Sequence, residues 1–557
     1  MLRKLFPAWG WLSGYRRGYL ADDLPAGVVV AAILVPQGMA YAMLAGLPPV
    51  VGLYASLVPV VVYALFGSSR HVAVGPVAVV SLLIAGPCAA LAKPGSPEYA
   101  GIALLLALQV GAAQLLLGLV RAGFLINFLS HAVIRGFTAA AAIIIGLSQL
   151  KHLLGIPLAD HHAVYRLLAE LSGRWAKINW PTAAIGAVAV LVLAIGKRIS
   201  RRFPMALVLV VLGILATWLL RLDRAGVTVV GQVPRGLPPI SLPPLAWGRA
   251  VALAPAAMTI VFVGFIESIA IAKWVAARER YEVDANQEFR ALGLANLAAA
   301  FFSGYPVTGG FSRTAVNYET GARTPMASIV TAALIGLTLA FLTPLLYFLP
   351  KAVLAAVVIL AVAGLLDVGE AIRLFRLKRT DGCTLALTFA ATLVLGVETG
   401  ILVGVACSLL LFIWRSAHPH AAELGYLEAE NAFRNIKRFP AARTYPNVLI
   451  LRIDASLYFA NLRFVEDWLR AQIARREGLE YVVLDLSGVN DMDAVAVTSL
   501  EQLMADYGHH GVRFALAGMK GPVRDLVSRA GWGKKDGPWT QFLTVRQVLE
   551  QIGVMAG

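Results

Sequence analysis

The sequence predicts a polytopic α-helical membrane protein followed by a small α/β domain. Three observations carry that reading. Apolar runs recur from about residue 26 to residue 416 with few charges inside them. Lys and Arg cluster between the runs. After about Trp414-Arg415 the composition changes to short β-branched runs alternating with helical patterns. The apolar runs approach the roughly 20 residues that cross a hydrocarbon core about 30 Å thick. A large soluble core is the alternative, but its helices are usually shorter than these repeated spans. Of the 557 residues, 59% are hydrophobic and 14% charged, where a soluble domain carries about 25% charged residues.

The amino-terminal stretch Met1–Tyr19 is basic and aromatic and has neither an apolar h-region nor a small-residue cleavage site. It therefore reads as part of a cytoplasmic segment, residues 1–25, and not as a cleavable signal peptide. The net charge of +16 invites a nucleic-acid reading. Placement argues against it. Arg16 and Arg17, then Lys197, Arg198, Arg201 and Arg202, then Arg278 and Arg280, then Arg373, Arg376, Lys378 and Arg379 all fall between spans. Counting spans puts them on one side, which the positive-inside rule makes cytoplasmic. A multi-pass protein of the cell inner (plasma) membrane is expected, with its amino terminus inside and no nucleic-acid partner. Cys88, Cys383 and Cys407 give neither a disulfide framework nor a metal spacing and read as small packing residues.

Within the membrane region, residues 26–416, two spans are interrupted. The first reads Val74-Gly75-Pro76-Val77-Ala78-Val79-Val80-Ser81, the second Pro306-Val307-Thr308-Gly309-Gly310-Phe311-Ser312-Arg313-Thr314-Ala315. Discontinuous helices in two halves of a hydrophobic chain point to a transport site. A helix start exposes unpaired N–H groups and about half a positive charge, so an anion fits there. The backbone near Val77 and Ala78, the N–H groups of Phe311 and Ser312, and the hydroxyls of Ser312 and Thr314 are candidate donors. For Ser312 ordinary helix capping is the competing reading. Arg313 adds a full positive charge, against the alternative of a structural or snorkelling arginine.

Each break follows a pair of spans, which suggests an internal inverted repeat. The first half opens on Ile33-Leu34-Val35-Pro36-Gln37-Gly38-Met39-Ala40-Tyr41-Ala42. Gln37 and Tyr41 are four residues apart and share a helix face. Tyr41 offers a wall with a polar tip, unless it merely packs. The counterpart span, Val261–Trp274, holds Glu267 in its apolar middle. A carboxylate at membrane depth is a functional hypothesis by default. A static ion pair with Arg313 or another cation is its competitor. His131 and Arg135, at the start of a span, read as snorkelling or headgroup-facing residues.

Residues 417–444 read as a linker and residues 445–557 as the α/β domain. Val448–Ile453, Tyr481–Leu486 and Arg513–Ala517 are strand-like, and Arg463–Glu477 is an amphipathic helix. Nowhere is there a phosphate-cradling loop, a metal-ligand cluster or a nucleophile–base pair. No enzyme, cofactor or metal is expected.

Several long motifs, in order, now carry a resemblance. Val35–Ala42, then Gly46-Leu47-Pro48-Pro49-Val50-Val51-Gly52-Leu53-Tyr54, then Gly67-Ser68-Ser69-Arg70-His71-Val72-Ala73-Val74-Gly75-Pro76, then Asp284-Ala285-Asn286-Gln287-Glu288 are similar to the sulfate permease (SulP) family. The carboxy-terminal domain resembles a STAS domain. Leu484–Val489 and Asp491-Met492-Asp493-Ala494 look like the phosphorylated loop of anti-sigma-factor antagonists, but alanine replaces the phosphorylated serine. An assembly or interaction role is expected there instead. The resemblance implies 14 membrane segments in two inverted repeats of seven, with a core domain moving against a gate domain. It also implies a homodimer, and an anion site lined at Gln37 and Tyr41. Family substrates include sulfate, bicarbonate, chloride, oxalate and dicarboxylates. Glu398 resembles a structural motif. A charge count favours proton–sulfate symport. Arg313 and two helix starts give about +2, and an ionised Glu267 lowers this to about +1. A dianion thus matches best once Glu267 is protonated. The alternatives are a sodium-coupled bicarbonate carrier, a chloride or dicarboxylate exchanger, and a channel or voltage-driven motor.

Overall fold

The computed structural model describes residues 6–124, 130–158, 164–199, 204–533 and 539–555. Arg201 and Arg202 lie outside the described residues, as do the side chains of Lys197, Arg198 and Glu398. The chain forms two units, Met1–Ser408 and Leu409–Gly557.

Among the described residues eight helices are long and apolar enough to cross a membrane, seven of them within the first unit and the eighth Thr399–Ala417. Three shorter apolar helices, Ala78–Leu91, Trp180–Gly196 and Met205–Leu220, accompany them. The first long helix, Arg17–Leu44, starts earlier than the expected boundary at residue 26. Asp22 and Asp23 explain the extension. Asp22 pairs with the Arg323 side chain at 2.6 Å. Asp23 Oδ1 accepts from the N–H groups of Arg323 and Thr324 at 2.7 and 3.0 Å, and its Oδ2 from Thr324 Oγ1 at 2.6 Å. Partners on a distant loop allow charge to sit in the second turn.

The two halves repeat one order. Arg17–Leu44, Pro49–Phe66, the two-residue strand Val74–Gly75 with helix Ala78–Leu91, and Pro97–Leu119 make the first. Trp247–Glu279, Ala285–Phe301, the strand Thr308–Gly309 with helix Phe311–Glu319, and Met326–Phe348 make the second. Contacts follow the same exchange. Arg17–Leu44 packs on Met326–Leu337, and Trp247–Glu279 packs on Pro97–Leu119. The strands pair antiparallel, Val74 opposite Gly309 and Gly75 opposite Thr308. This is the pairing a two-fold relation between halves produces.

Small residues allow a close crossing of Pro97–Leu119 with Ala285–Phe301. A Cβ on Gly293 would come within 2.6 Å of Leu115 N, and one on Gly111 within 2.6 Å of Leu297 N. Backbones approach here as they do in membrane bundles, where dispersion contacts replace the hydrophobic drive. The motif from Asp284 to Glu288 proves to be scaffold. Asp284 caps helix Ala285–Phe301 through the N–H groups of Asn286 and Gln287, which contributes about 1 kcal/mol. Glu288 accepts from Tyr63 Oη at 2.7 Å, Ser68 N at 2.8 Å and Ser69 N at 3.1 Å. A fully buried carboxylate with this many donors locks the loop after Pro49–Phe66 onto the second half.

The second unit contains a six-stranded sheet. Its order is Ala432–Asn435, Ala421–Leu427, Val448–Ile453, Tyr481–Asp485, Arg513–Ala517, Trp539–Phe542. The last four strands run parallel, with Leu451 beside Leu484 and Leu484 beside Leu516. The expected linker 417–444 is therefore corrected. Two of the sheet's strands come from it, with Ala421 opposite Ile453. Their alternation is weak in sequence: Ala432–Asn435 is a four-residue edge strand, and Ala421–Leu427 is interrupted by Glu423 and Gly425. Asp493 caps helix Ala494–Gly508 through Ala496 N at 2.8 Å and also accepts from Phe459 N at 2.8 Å.

Candidate anion site

The two breaks cross where the strands pair, and Arg313 lies at the crossing. Gly310 N–H donates to Ala73 O at 3.0 Å, and Ala73 N–H donates to Thr314 Oγ1 at 3.0 Å. These bonds fix the start of one short helix against the approach to the other. The first turn of Phe311–Glu319 begins at Gly310, where the chain is still extended. Arg313 follows within that turn, on the face turned inward.

Arg313 is 2% exposed. Its Nη1 donates to Pro76 O at 2.7 Å and to Gln37 Oε1 at 3.4 Å. Nε and Nη2 have no hydrogen-bond partner. Glycine makes room for the group on both sides: a Cβ on Gly310 would meet Nη2 at 2.7 Å, and one on Gly75 at 3.3 Å. A buried guanidinium with idle donors is costly, and such orphans mark a place that something else must satisfy.

Glu267 projects from helix Trp247–Glu279. Its Oε2 is buried without a hydrogen-bond partner, as is the hydroxyl of the neighbouring Ser268. Glu267 and Arg313 are electrostatic neighbours but form no ion pair among the described residues. The static pair weighed above is thus absent. Gly309 lies against Ser268, and Thr308 Oγ1 donates to Gly264 O, so this helix is seated on the second break.

The sequence candidates divide by position. Gln37, Tyr41, Val77, Ala78, Arg313 and Thr314 are buried. Gln37 contacts the guanidinium directly, and Tyr41 is among its electrostatic neighbours. Val77 is the N-cap residue of Ala78–Leu91, placing this helix start beside the Pro76 carbonyl that Arg313 engages. Phe311 and Ser312 have exposed side chains, and the Phe311 ring lies 6.2 Å from that of Trp274. Their backbone N–H groups occupy the helix start, which has no intrahelical acceptor for them. Thr314 differs. Its hydroxyl oxygen takes the Ala73 N–H and its own N–H donates to Gly310 O at 3.0 Å, so it braces the crossing.

Four participants escape a reading of the sequence. Pro76 supplies a carbonyl. Tyr305, fully buried, is an electrostatic neighbour of Arg313, and its Oη lies 3.2 Å from Ser81 Oγ. Ser268 brings an idle hydroxyl. Asn296 clamps Val307, accepting from its N–H at 2.7 Å and donating to its carbonyl at 3.0 Å. A tyrosine just before the Pro306 break was the one available signal. A cavity of about 790 Å³ lined by Arg70, His71, Glu279, Tyr318 and Arg323 is separate from this site; Arg313, Gln37, Tyr41 and Glu267 do not line it.

Comparison with known proteins places the chain in a family. The Sulfate permease family profile matches residues 20–388, and the STAS domain profile residues 439–548. Sulfate transporter 4.1, chloroplastic, of Arabidopsis thaliana is 40% identical over 565 residues, covering 98% of this chain and 82% of the relative. Probable sulfate transporter 4.2 of the same plant is 40% identical over 563 residues, covering 98% and 83%. The structure of murine Solute Carrier 26 family member A9, an anion transporter in the inward-facing state, superposes with a TM-score of 0.91 at 25% identity, covering 100% of this chain and 95% of that one. With the family match spanning most of its membrane unit and relatives aligned over 98% of this chain, the chain belongs to the sulfate permease family and carries a STAS domain.

Proposed function

We propose that this protein is a proton-coupled sulfate symporter working by elevator-like alternating access. The observation that carries the reading is the buried Arg313 with Nε and Nη2 unpaired at the start of two short helices. An oxyanion supplies the acceptors those donors lack. The names of the relatives, sulfate transporters, support sulfate as the anion.

The coupling follows from charge. Arg313 and the two helix starts contribute about +2. Glu267, close by but not paired, subtracts one unit when ionised and none when protonated. A dianion and a proton therefore favour each other's binding by the reciprocity of linkage. After the loaded core moves, loss of either ligand weakens the hold on the other. Gln37 orients the guanidinium, and Tyr41 and Tyr305 wall the site. Movement of the crossed breaks as one body is supported by the braces at Thr314, Asn296 and Gly310. The remaining parts of this proposal are 14 membrane segments in two inverted repeats, a homodimer, and a plasma-membrane location with the amino terminus and STAS domain cytoplasmic.

The test is uptake by proteoliposomes from a panel of labelled anions, with proton and sodium gradients imposed separately. Sulfate accumulation driven by a proton gradient alone is expected. Accumulation of bicarbonate driven by sodium, with none of sulfate, would overturn the assignment.

A further inference from the structure

The helix Val368–Leu377 carries an uncovered ridge of two chemistries. Val368, Ile372 and Phe375 recur at helical spacing and are 69%, 48% and 40% exposed. Beside them Arg373 and Arg376 are exposed, followed by exposed Lys378 and Arg379. Glu370, Ala371 and Leu374 form the less exposed side. The acids sit toward the start: Asp367 caps the helix by accepting from Glu370 N at 3.0 Å, and Glu370 lies 3.6 Å from Arg373. Arg376, Lys378 and Arg379 form no ion pair among the described residues. The helix packs against His131–Ser148, where Arg135 Nε donates to His131 Nε2 at 3.3 Å and Arg135 lies 4.0 Å from Asp367.

We propose that Val368–Leu377, with Lys378 and Arg379, is a docking surface for anionic phospholipid. The apolar ridge enters the acyl boundary while Arg373, Arg376, Lys378 and Arg379 hold headgroup phosphates. A basic amphipathic helix lies in the interface in this way, its binding combining apolar burial with attraction to anionic lipid. Charge and hydrophobicity together select this occupant. A soluble anion would leave Val368, Ile372 and Phe375 in water. A second copy of the same face would bring like charges together. The site is also placed to matter. Phe375 packs against Gly382, in the helix Arg379–Leu395 that follows, so lipid held here steadies the joint between these two helices.

The experiment uses the full chain purified in detergent and exposed to mixed phosphatidylcholine and phosphatidylglycerol, with retained lipid measured by mass spectrometry. Wild type is expected to retain phosphatidylglycerol selectively. Replacing Arg373, Arg376 and Arg379 together by Gln should reduce retention about tenfold or more, since each surface cation contributes separately. Replacing all three by Lys should preserve it. Ile372→Asn should weaken retention without changing charge. Arg221→Gln with Arg224→Gln, in a different loop, should change nothing. Equal retention by wild type and the triple Gln variant overturns the proposal. So does displacement of the lipid by excess inorganic phosphate, which would mark a soluble-anion site.

Discussion

The two halves of the membrane unit share a scaffold and divide the chemistry. Each offers a long helix, a pair of strand residues and a short helix, and the strands meet antiparallel. The first half contributes neutral groups: Gln37, Tyr41, the Pro76 carbonyl and the start of Ala78–Leu91. The second half contributes Arg313 and Glu267. A repeat therefore fixes where backbone dipoles point, while side chains on one copy alone decide what charge the site carries. A symmetric pair of arginines would leave two buried cations to satisfy, at several kcal/mol each.

The sharpest test compares Arg313→Ala with Gln37→Ala in direct sulfate binding. Loss of the buried cation is expected to weaken binding on the order of thirtyfold or more, about 2–5 kcal/mol. Loss of the neutral amide is expected to cost about 1 kcal/mol. Similar losses for both would erase the division. Next in size, Glu267→Gln should lower gradient-driven accumulation by about tenfold or more while leaving sulfate–sulfate exchange, because exchange moves no net proton. Concentrative uptake by that variant under a proton gradient would assign coupling elsewhere.

Thr314→Val tests the shared scaffold. It leaves the Ala73 N–H without its acceptor, at about 1–3 kcal/mol. A lower melting temperature is expected, with sulfate affinity of the folded fraction nearly unchanged. A large affinity loss without destabilisation would return Thr314 to the ligand's contacts.

The smallest effect contrasts the idle Arg313 with a satisfied arginine in the second unit. Arg452 Nε donates to Asp454 Oδ1 at 2.7 Å, and His420 Nδ1 lies 2.7 Å from Asp454 Oδ2. Partial burial pushes the Asp454 carboxyl up, but Arg452 and His420 outweigh it and hold it below its ordinary value. Stability from this group is present above the unfolded-state pKa and is lost as pH falls through the lower folded value. Asp454→Asn should remove that acid-side dependence and cost about 0.5 kcal/mol in thermal unfolding at neutral pH, as a partly exposed pair does. Identical acid profiles for variant and wild type would show the contact to be idle.

Much of the site was legible because burying charge in a membrane is rare enough to notice. Arg313 and Glu267 stood out against apolar neighbours, and glycine with proline marked both breaks. Gln37 was legible through its motif. Tyr305, Ser268 and Asn296 were not, since each is an ordinary residue whose role comes from what crosses it. Thr314 reads as a ligand donor because a hydroxyl in a helix's first turn commonly is one; that its oxygen also accepts the Ala73 N–H from the other half is not legible in the sequence. The two strands within 417–444 were missed for a related reason. Ala432–Asn435 is a short edge strand that needs little hydrophobic alternation, and Ala421–Leu427 is held by its non-local pairing with Val448–Ile453.

The sequence by itself determined the class of protein: its spans, its basic flanks, the two interruptions and the charged residues beside them. Those follow from local composition measured against a hydrocarbon solvent. Only the tertiary structure decided which groups converge. It set the Arg313 guanidinium on the Pro76 carbonyl, left its other donors unpaired, and kept Glu267 near without pairing it. The physical reason is that convergence depends on the antiparallel crossing of two distant strands, and no local pattern encodes the register Val74 with Gly309.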